Sequence, residues 1–207
     1  MGLKYLVVIA RPIIEAIIVV TKINADKINN IKRSRKWSTK MSKKVDFGIK
    51  SQLITKEELA RRVRELGEQI TKDFKDEKEP LVVIGLLKGS VVFMADLIRE
   101  IRLPLEIDFI EVSSYEGTET TREVKILKDL RTTIKGKNVL VVEDIIDSGF
   151  TLKKVLKLFG SREPKKVSLC TLLNKPERRE VEVDVQYIGF EIPNEFVVGY
   201  GLDYNEN

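Results

Sequence analysis

Three stretches of the chain are apolar or nearly so for about the length of a strand: Leu81–Leu87, Val139–Val142 and Val167–Leu173, the last with only Ser168 and Thr171 as polar members. Such a run bounded by polar loops predicts a strand buried on both faces, the kind that builds a parallel sheet. The first run gives way to Lys88-Gly89-Ser90 and a helical pattern over Val91–Ile101. The second leads through Glu143–Gly149 to a helical pattern over Thr151–Phe159. Upstream, Thr55-Lys-Glu-Glu58 has the form of a capping box and precedes Leu59, Val63, Leu66, Ile70 and Phe74 at helical spacing, so an amphipathic helix is predicted that ends before Pro80. Leu105–Ser114 and Val124–Asp129 read as two further strands. The polar stretch between them, Ser114–Arg122, has no apolar period with which to pack and is expected to be a mobile loop. Alternating strands and helices predict an α/β fold with a central, mostly parallel twisted sheet flanked by helices.

The amino-terminal segment does not share this grammar. Leu3–Val20 is apolar but is broken by Arg11, Pro12 and Glu15, so it offers no stretch of about 20 residues able to span a bilayer. A signal peptide is not expected either, because a positive start and a small-residue cleavage site are missing. Met41-Ser-Lys-Lys has the form of a start in its own right. Residues 1–44 are therefore expected to be an upstream extension or a disordered appendage of unknown role, and 45–207 the working domain.

Composition changes this picture in three ways. The chain has 207 residues and a net charge of +5, yet residues 21–50 alone carry ten Lys or Arg against Asp26 and Asp46, while the last 157 residues hold 25 basic and 29 acidic groups. The basic character thus belongs to the amino-terminal fifth, and the body does not read as a nucleic-acid binder. A single cysteine, Cys170, excludes an internal disulfide and fits a reducing, cytoplasmic compartment. The absence of histidine excludes Ser-His-Asp and Cys-His catalysis and leaves acid–base work to Asp, Glu, Lys or Tyr.

The richest chemistry lies in Val139-Leu-Val-Val-Glu-Asp-Ile-Ile-Asp-Ser-Gly-Phe-Thr-Leu152. In open parallel sheets ligands bind beyond the carboxyl ends of the strands, which puts Glu143 and Asp144 at the mouth of a site. Gly149 permits a tight turn, and Ser148, Thr151 and the N–H groups at the helix start can converge on a phosphate. Two acids beside an anion nest suggest a divalent cation or neutral sugar hydroxyls, so a sugar phosphate with metal is the expected ligand.

This segment resembles the phosphoribosyl pyrophosphate signature of type I phosphoribosyltransferases, and Val142–Leu152 is most similar to the hypoxanthine-guanine branch. The resemblance extends over about residues 45–205. It implies Mg2+-dependent transfer of the 5-phosphoribosyl group from phosphoribosyl pyrophosphate to N9 of hypoxanthine or guanine, a step of purine salvage. It also implies a homodimer or homotetramer with no nucleic-acid or membrane partner.

Residue by residue, Glu143, Asp144, Asp147, Ser148, Gly149, Phe150 and Thr151 would hold the phosphoribosyl group, Glu143 and Asp144 through the first Mg2+ or the ribose hydroxyls. Lys88 and Gly89 would contact pyrophosphate across a non-proline cis peptide at Leu87-Lys88, with Arg179 as a further pyrophosphate contact. Ser114 and Tyr115 would belong to a loop that closes over the reaction. Lys175 matches the lysine that reads the exocyclic oxygen at C6 of the purine. Asp147 matches the general base or proton acceptor beside N7, a role that needs a raised pKa or simple hydrogen-bonding assistance, since an ordinary Asp titrates near pH 4. Asp184–Tyr204 is similar to the base-binding hood, expected to be formed largely by 175–207 plus part of the domain's amino-terminal end. Within it Tyr187 would stack on the base and the Ile188 backbone would bond its edge.

Two departures from the family pattern stand out. Asn194 takes the place of an expected aspartate at a second Mg2+, and the chain ends at Asn207, sooner than the family usually does, so reduced activity is an expectation. A relative using xanthine or another base, or a phosphoribosyl-pyrophosphate-sensing regulator, are the alternatives.

Overall fold

The computed structural model describes residues 18–21, 49–115 and 123–202. Six strands form the main sheet in the order β5-β4-β3-β6-β7-β8. They are β3 (Leu81–Leu87), β4 (Leu105–Tyr115), β5 (Glu123–Lys128), β6 (Asn138–Ile146), β7 (Lys166–Asn174) and β8 (Tyr187–Glu191). All neighbours are parallel except β5, which returns antiparallel beside β4. Helices α1 (Lys56–Phe74), α2 (Ser90–Glu100) and α3 (Phe150–Gly160) flank it.

The capping box closes as its sequence requires. The Thr55 hydroxyl accepts from the Glu58 N–H at 3.2 Å and the Glu58 carboxylate accepts from the Thr55 N–H at 2.8 Å. The largely apolar strands divide their side chains between two cores. Val83, Leu140, Val142, Cys170 and Leu172 face α1 and α2, with Leu66, Ile70, Phe93 and Leu97. Val82, Ile84, Val139, Val141 and Leu169 face the other way, onto Leu152, Val155 and Phe159 of α3.

This division fixes where a ligand can sit. The crossover from β3 through α2 runs outward to β4, whereas that from β6 through α3 runs to β7 on the opposite side. The strand order therefore reverses between β3 and β6, the point at which an open sheet leaves a crevice beyond its strand ends.

A second, three-stranded sheet has the order β2-β1-β9, made of β2 (Ile49–Ile54), β1 (Ile18–Thr21) and β9 (Val197–Val198), paired antiparallel. Two expectations change here. Four residues of the supposed appendage pair with the body, and β8 belongs to the main sheet, so only β9 of the carboxyl-terminal segment enters the small sheet. The remainder of the 1–44 extension, the loop 116–122 and residues 203–207 lie outside the described residues. No helix among the described residues is long and apolar enough to cross a membrane.

Candidate active site

Three loops meet at the crevice because β3, β6 and β7 are neighbours that end on the same side. The first follows β3. Its Leu87-Lys88 peptide is cis, as the family resemblance implied. Ser90 is fully buried and its hydroxyl donates to the Leu86 carbonyl at 2.6 Å, which folds the turn back onto the strand.

Gly89 is needed for closeness and not for backbone freedom, since its φ is an ordinary −60°. A Cβ there would collide with the carboxylate of Asp144, so the loop after β3 touches the carboxyl end of β6 at this residue. Gly89 and Gly149 precede α2 and α3, and no side chain caps either helix, which leaves both amino-terminal turns facing the crevice as anion sites. Gly149 has φ +86°, the left-handed conformation that favours glycine.

Glu143 and Asp144 carry the observation most telling for a metal. Burial, and then the charge of Asp144, push the Glu143 carboxyl well above its usual range, and its Oε2 is buried with no hydrogen-bond partner. A divalent cation or the hydroxyls of a ribose would supply what that oxygen lacks, so the residues fit the group. Among the described residues no cluster of three or more Asp, Glu, Cys or His could cage an ion. An ion held here would take most of its ligands from substrate and water, as Mg2+ characteristically does.

The third loop, after β7, is fastened across the second. The Lys175 N–H donates to the Ile146 carbonyl at 3.0 Å, and the N–H groups of Glu180 and Val181 both donate to the Ser148 carbonyl, at 3.1 and 3.2 Å. The Lys175 side chain is 8% exposed, and burial lowers its pKa, with Arg178 acting the same way and Asp147 and Glu195 opposing. Arg178 Nε donates to Asp147 Oδ1 at 2.9 Å. Arg179 donates to the Asn174 side chain and leaves its Nε buried and unpartnered. Its Cδ lies against Gly149, over the phosphate loop. Asp147, Lys175 and Arg179 are thus brought together with Glu143, Asp144, Ser148 and Gly89. Phe150 and Thr151 open α3, and Ser114 and Tyr115 end β4.

The two expected base contacts need correction. Tyr187 is 3% exposed, its ring is part of the core beneath α1, and its hydroxyl donates to Asp73 of α1 at 2.9 Å. It pairs with Cys170, four residues before the end of β7, which places it roughly 13 Å back from the crevice at about 3.3 Å per residue. A ring packed there presents no face to a base. The Ile188 carbonyl is held by Arg62 of α1, whose Nη2 donates to it at 2.6 Å while Nε donates to Gly189 at 2.9 Å.

The aromatic at the right level is Phe196. The chain leaves β8 through the Ile192 N–H, which donates to the Asn174 carbonyl at 2.9 Å at the carboxyl end of β7. It then brings Glu195 near enough to Lys175 to act on its charge. Phe196 follows, 40% exposed. Asn194 is exposed on the intervening bend. Beyond β9 the chain crosses back over the first loop. A Cβ on Gly201 would meet Val92 and lie near the Gly89 carbonyl, and the Tyr200 hydroxyl donates to Asp96 of α2 at 2.6 Å.

An open sheet with anion-ready helix starts and a carboxylate pair at its switch point defines an enzyme that handles a phosphorylated sugar. The chain belongs to the phosphoribosyl transferase domain family, whose model matches residues 50–205. Within that family it is similar to the hypoxanthine phosphoribosyltransferase of Salmonella typhimurium, with 58% identity over 153 residues, 73% of this chain and 86% of the relative. The hypoxanthine-guanine phosphoribosyltransferase of Staphylococcus epidermidis is 51% identical over 159 residues, 76% of this chain and 88% of that protein.

Solved structures agree. The hypoxanthine-guanine phosphoribosyltransferase of Bacillus anthracis, crystallised with HEPES in its active site, is 55% identical with a TM-score of 0.71, covering 75% of this chain and 91% of its own. The Trypanosoma cruzi hypoxanthine phosphoribosyltransferase bound to its product IMP is 40% identical with a TM-score of 0.71, covering 75% and 87%.

Proposed function

We propose that the protein transfers the 5-phosphoribosyl group of phosphoribosyl pyrophosphate to N9 of hypoxanthine or guanine, releasing pyrophosphate and giving IMP or GMP in the cytoplasm. The observation that carries this reading is the meeting of the three loops, with the buried, unpartnered Glu143 oxygen and Gly89 against Asp144 on one side and Lys175 on the other.

In this reading the 5-phosphate lies on the amino-terminal turn of α3 between Ser148 and Thr151, where helix N–H groups and the macrodipole favour negative charge. Glu143 and Asp144 orient the ribose hydroxyls and hold Mg2+. That ion, when bound, would neutralise charge on the leaving pyrophosphate. The Lys88-Gly89 loop and Arg179 take the same oxygens from the protein side. Lys175 donates to the C6 oxygen of the base, and its low exposure makes that hydrogen bond count. Phe196 supplies the stacking face in place of Tyr187. Asp147 accepts the N7 proton as positive charge builds on the ribose, which holds the base with N9 in line for attack.

The test is to offer hypoxanthine, guanine, xanthine and adenine separately with Mg2+ and phosphoribosyl pyrophosphate and to measure the nucleotide formed. Turnover with hypoxanthine or guanine is expected. Turnover with adenine alone would sink the reading. Release of no pyrophosphate with any base would favour a non-catalytic sensor.

A further inference from the structure

Arg178 was not among the residues that the sequence singled out, and the family match gives it no role on its face. It ends the short 3-10 turn Pro176–Arg178 that follows Lys175. Lys175 is the residue that enters this turn and Arg178 the one that ends it. The Arg178 N–H donates to the Lys175 carbonyl at 3.2 Å and closes this turn.

Both side chains converge on one carboxylate. Arg178 Nε reaches Asp147 Oδ1 at 2.9 Å, while the Asp147 charge acts on the buried Lys175 ammonium. Asp147 is half-exposed, as is Arg178, so left alone its carboxylate could take several rotamers. A single Nε bond removes that freedom and occupies one oxygen, and a carboxylate has lone pairs to spare on the other for a base proton. The bond also spans the two halves of the site, joining the loop after β6 to the segment after β7.

We infer that Arg178 is a positioning residue for the reaction: through Nε it fixes the Asp147 carboxylate in the orientation that meets the purine. This rests on the reading of Asp147 as the acceptor beside the base. A positioning role confined to that group predicts an effect on turnover and not on the binding of phosphoribosyl pyrophosphate, whose phosphate rests on α3.

The test is steady-state kinetics on Arg178→Ala, Arg178→Lys, Asp147→Asn and the Asp147→Asn, Arg178→Ala pair, with Arg178→Gln in reserve should the alanine variant fail to fold. Arg178→Ala is expected to lower kcat about fivefold, a figure set by the partial exposure of the pair, and to leave the KM for phosphoribosyl pyrophosphate within twofold. Arg178→Lys, which keeps the charge without the fixed Nε donor, is expected to fall between wild type and Arg178→Ala. Added to Asp147→Asn, Arg178→Ala is expected to cost nothing more, because its partner is already gone. A kcat within twofold of wild type in Arg178→Ala overturns the inference, and so does a full fivefold loss on top of Asp147→Asn. If Asp147→Asn itself keeps full turnover, the failure lies in the reading of Asp147 as acceptor and the inference falls with it.

Discussion

Replacing Phe196 by Ala and, separately, Tyr187 by Leu distinguishes the two candidates for the ring that stacks on the base. Stacking of a base on an aromatic ring contributes about 1–3 kcal/mol. Phe196→Ala should therefore raise the KM for hypoxanthine by roughly 5- to 150-fold. Because this ring is 40% exposed, its truncation should lower the melting temperature less than the loss of a fully buried ring. Tyr187→Leu reverses both outcomes. The residue is 3% exposed and bonded to Asp73, so the change removes part of a packed ring and one hydrogen bond. Packing costs about 2 kcal/mol and the bond to an exposed partner about 1, giving roughly 3 kcal/mol of stability. The KM of the folded variant for hypoxanthine should stay within twofold. Urea unfolding and initial-rate kinetics on both variants measure these quantities. A tenfold rise in hypoxanthine KM for Tyr187→Leu with unchanged stability, beside a Phe196→Ala that binds normally, would refute the assignment.

Gly89→Ala places a methyl group on the Asp144 carboxylate and should reduce kcat/KM for phosphoribosyl pyrophosphate at least tenfold, as measured by pyrophosphate release. Asp108 is a structural acid. Burial alone would raise its pKa, but the N–H groups of Thr132, Phe109 and Arg131 and the Lys128 ammonium together hold it below the usual range. Asp108→Asn should cost about 2–3 kcal/mol in urea unfolding, and the stability that the carboxylate confers should fade as pH drops through its lowered pKa. Tyr187 and Tyr200 behave oppositely. Burial, and then Asp73 and Asp96 respectively, raise both above the ordinary value of 10.0. The folded state therefore holds protons that the unfolded state releases, so this contribution is full below about pH 10 and is lost as pH rises further. Tyr200→Phe should flatten the alkaline decline in melting temperature.

The parts of the fold visible in the sequence are those whose signal is local. Leu81–Leu87 reads as a buried strand because both of its faces are apolar, and Thr55–Glu58 reads as a helix start because its hydrogen bonds close within four residues. The phosphate loop is equally legible, since strand, acids, glycine and helix follow one another in a single stretch. The base side of the site was harder to read because it depends on partners far apart in the chain. Tyr187 is consigned to the core by Asp73, 114 positions earlier, and Ile188 is taken up by Arg62, 126 positions earlier. An aromatic at the start of a short strand carries no mark of which neighbour will cover it. Phe196 lies between Glu195 and a Val-Val pair, and only the register of β8 on β7 shows it to be nearer the strand ends. The contact of Gly89 with Asp144 and the pairing of Arg178 with Asp147 are likewise products of strand order. The switch point that creates them has no local signature beyond the alternation of strand and helix.

The most direct measurement is a crystal structure of the protein with Mg2+ and IMP. The phosphate is predicted on the amino-terminal turn of α3, within hydrogen-bond reach of the Ser148–Thr151 loop. The ribose should lie beside Glu143 and Asp144, and the purine between Lys175 and the ring of Phe196. A phosphate elsewhere than on α3, or a purine resting against Tyr187, would contradict the account.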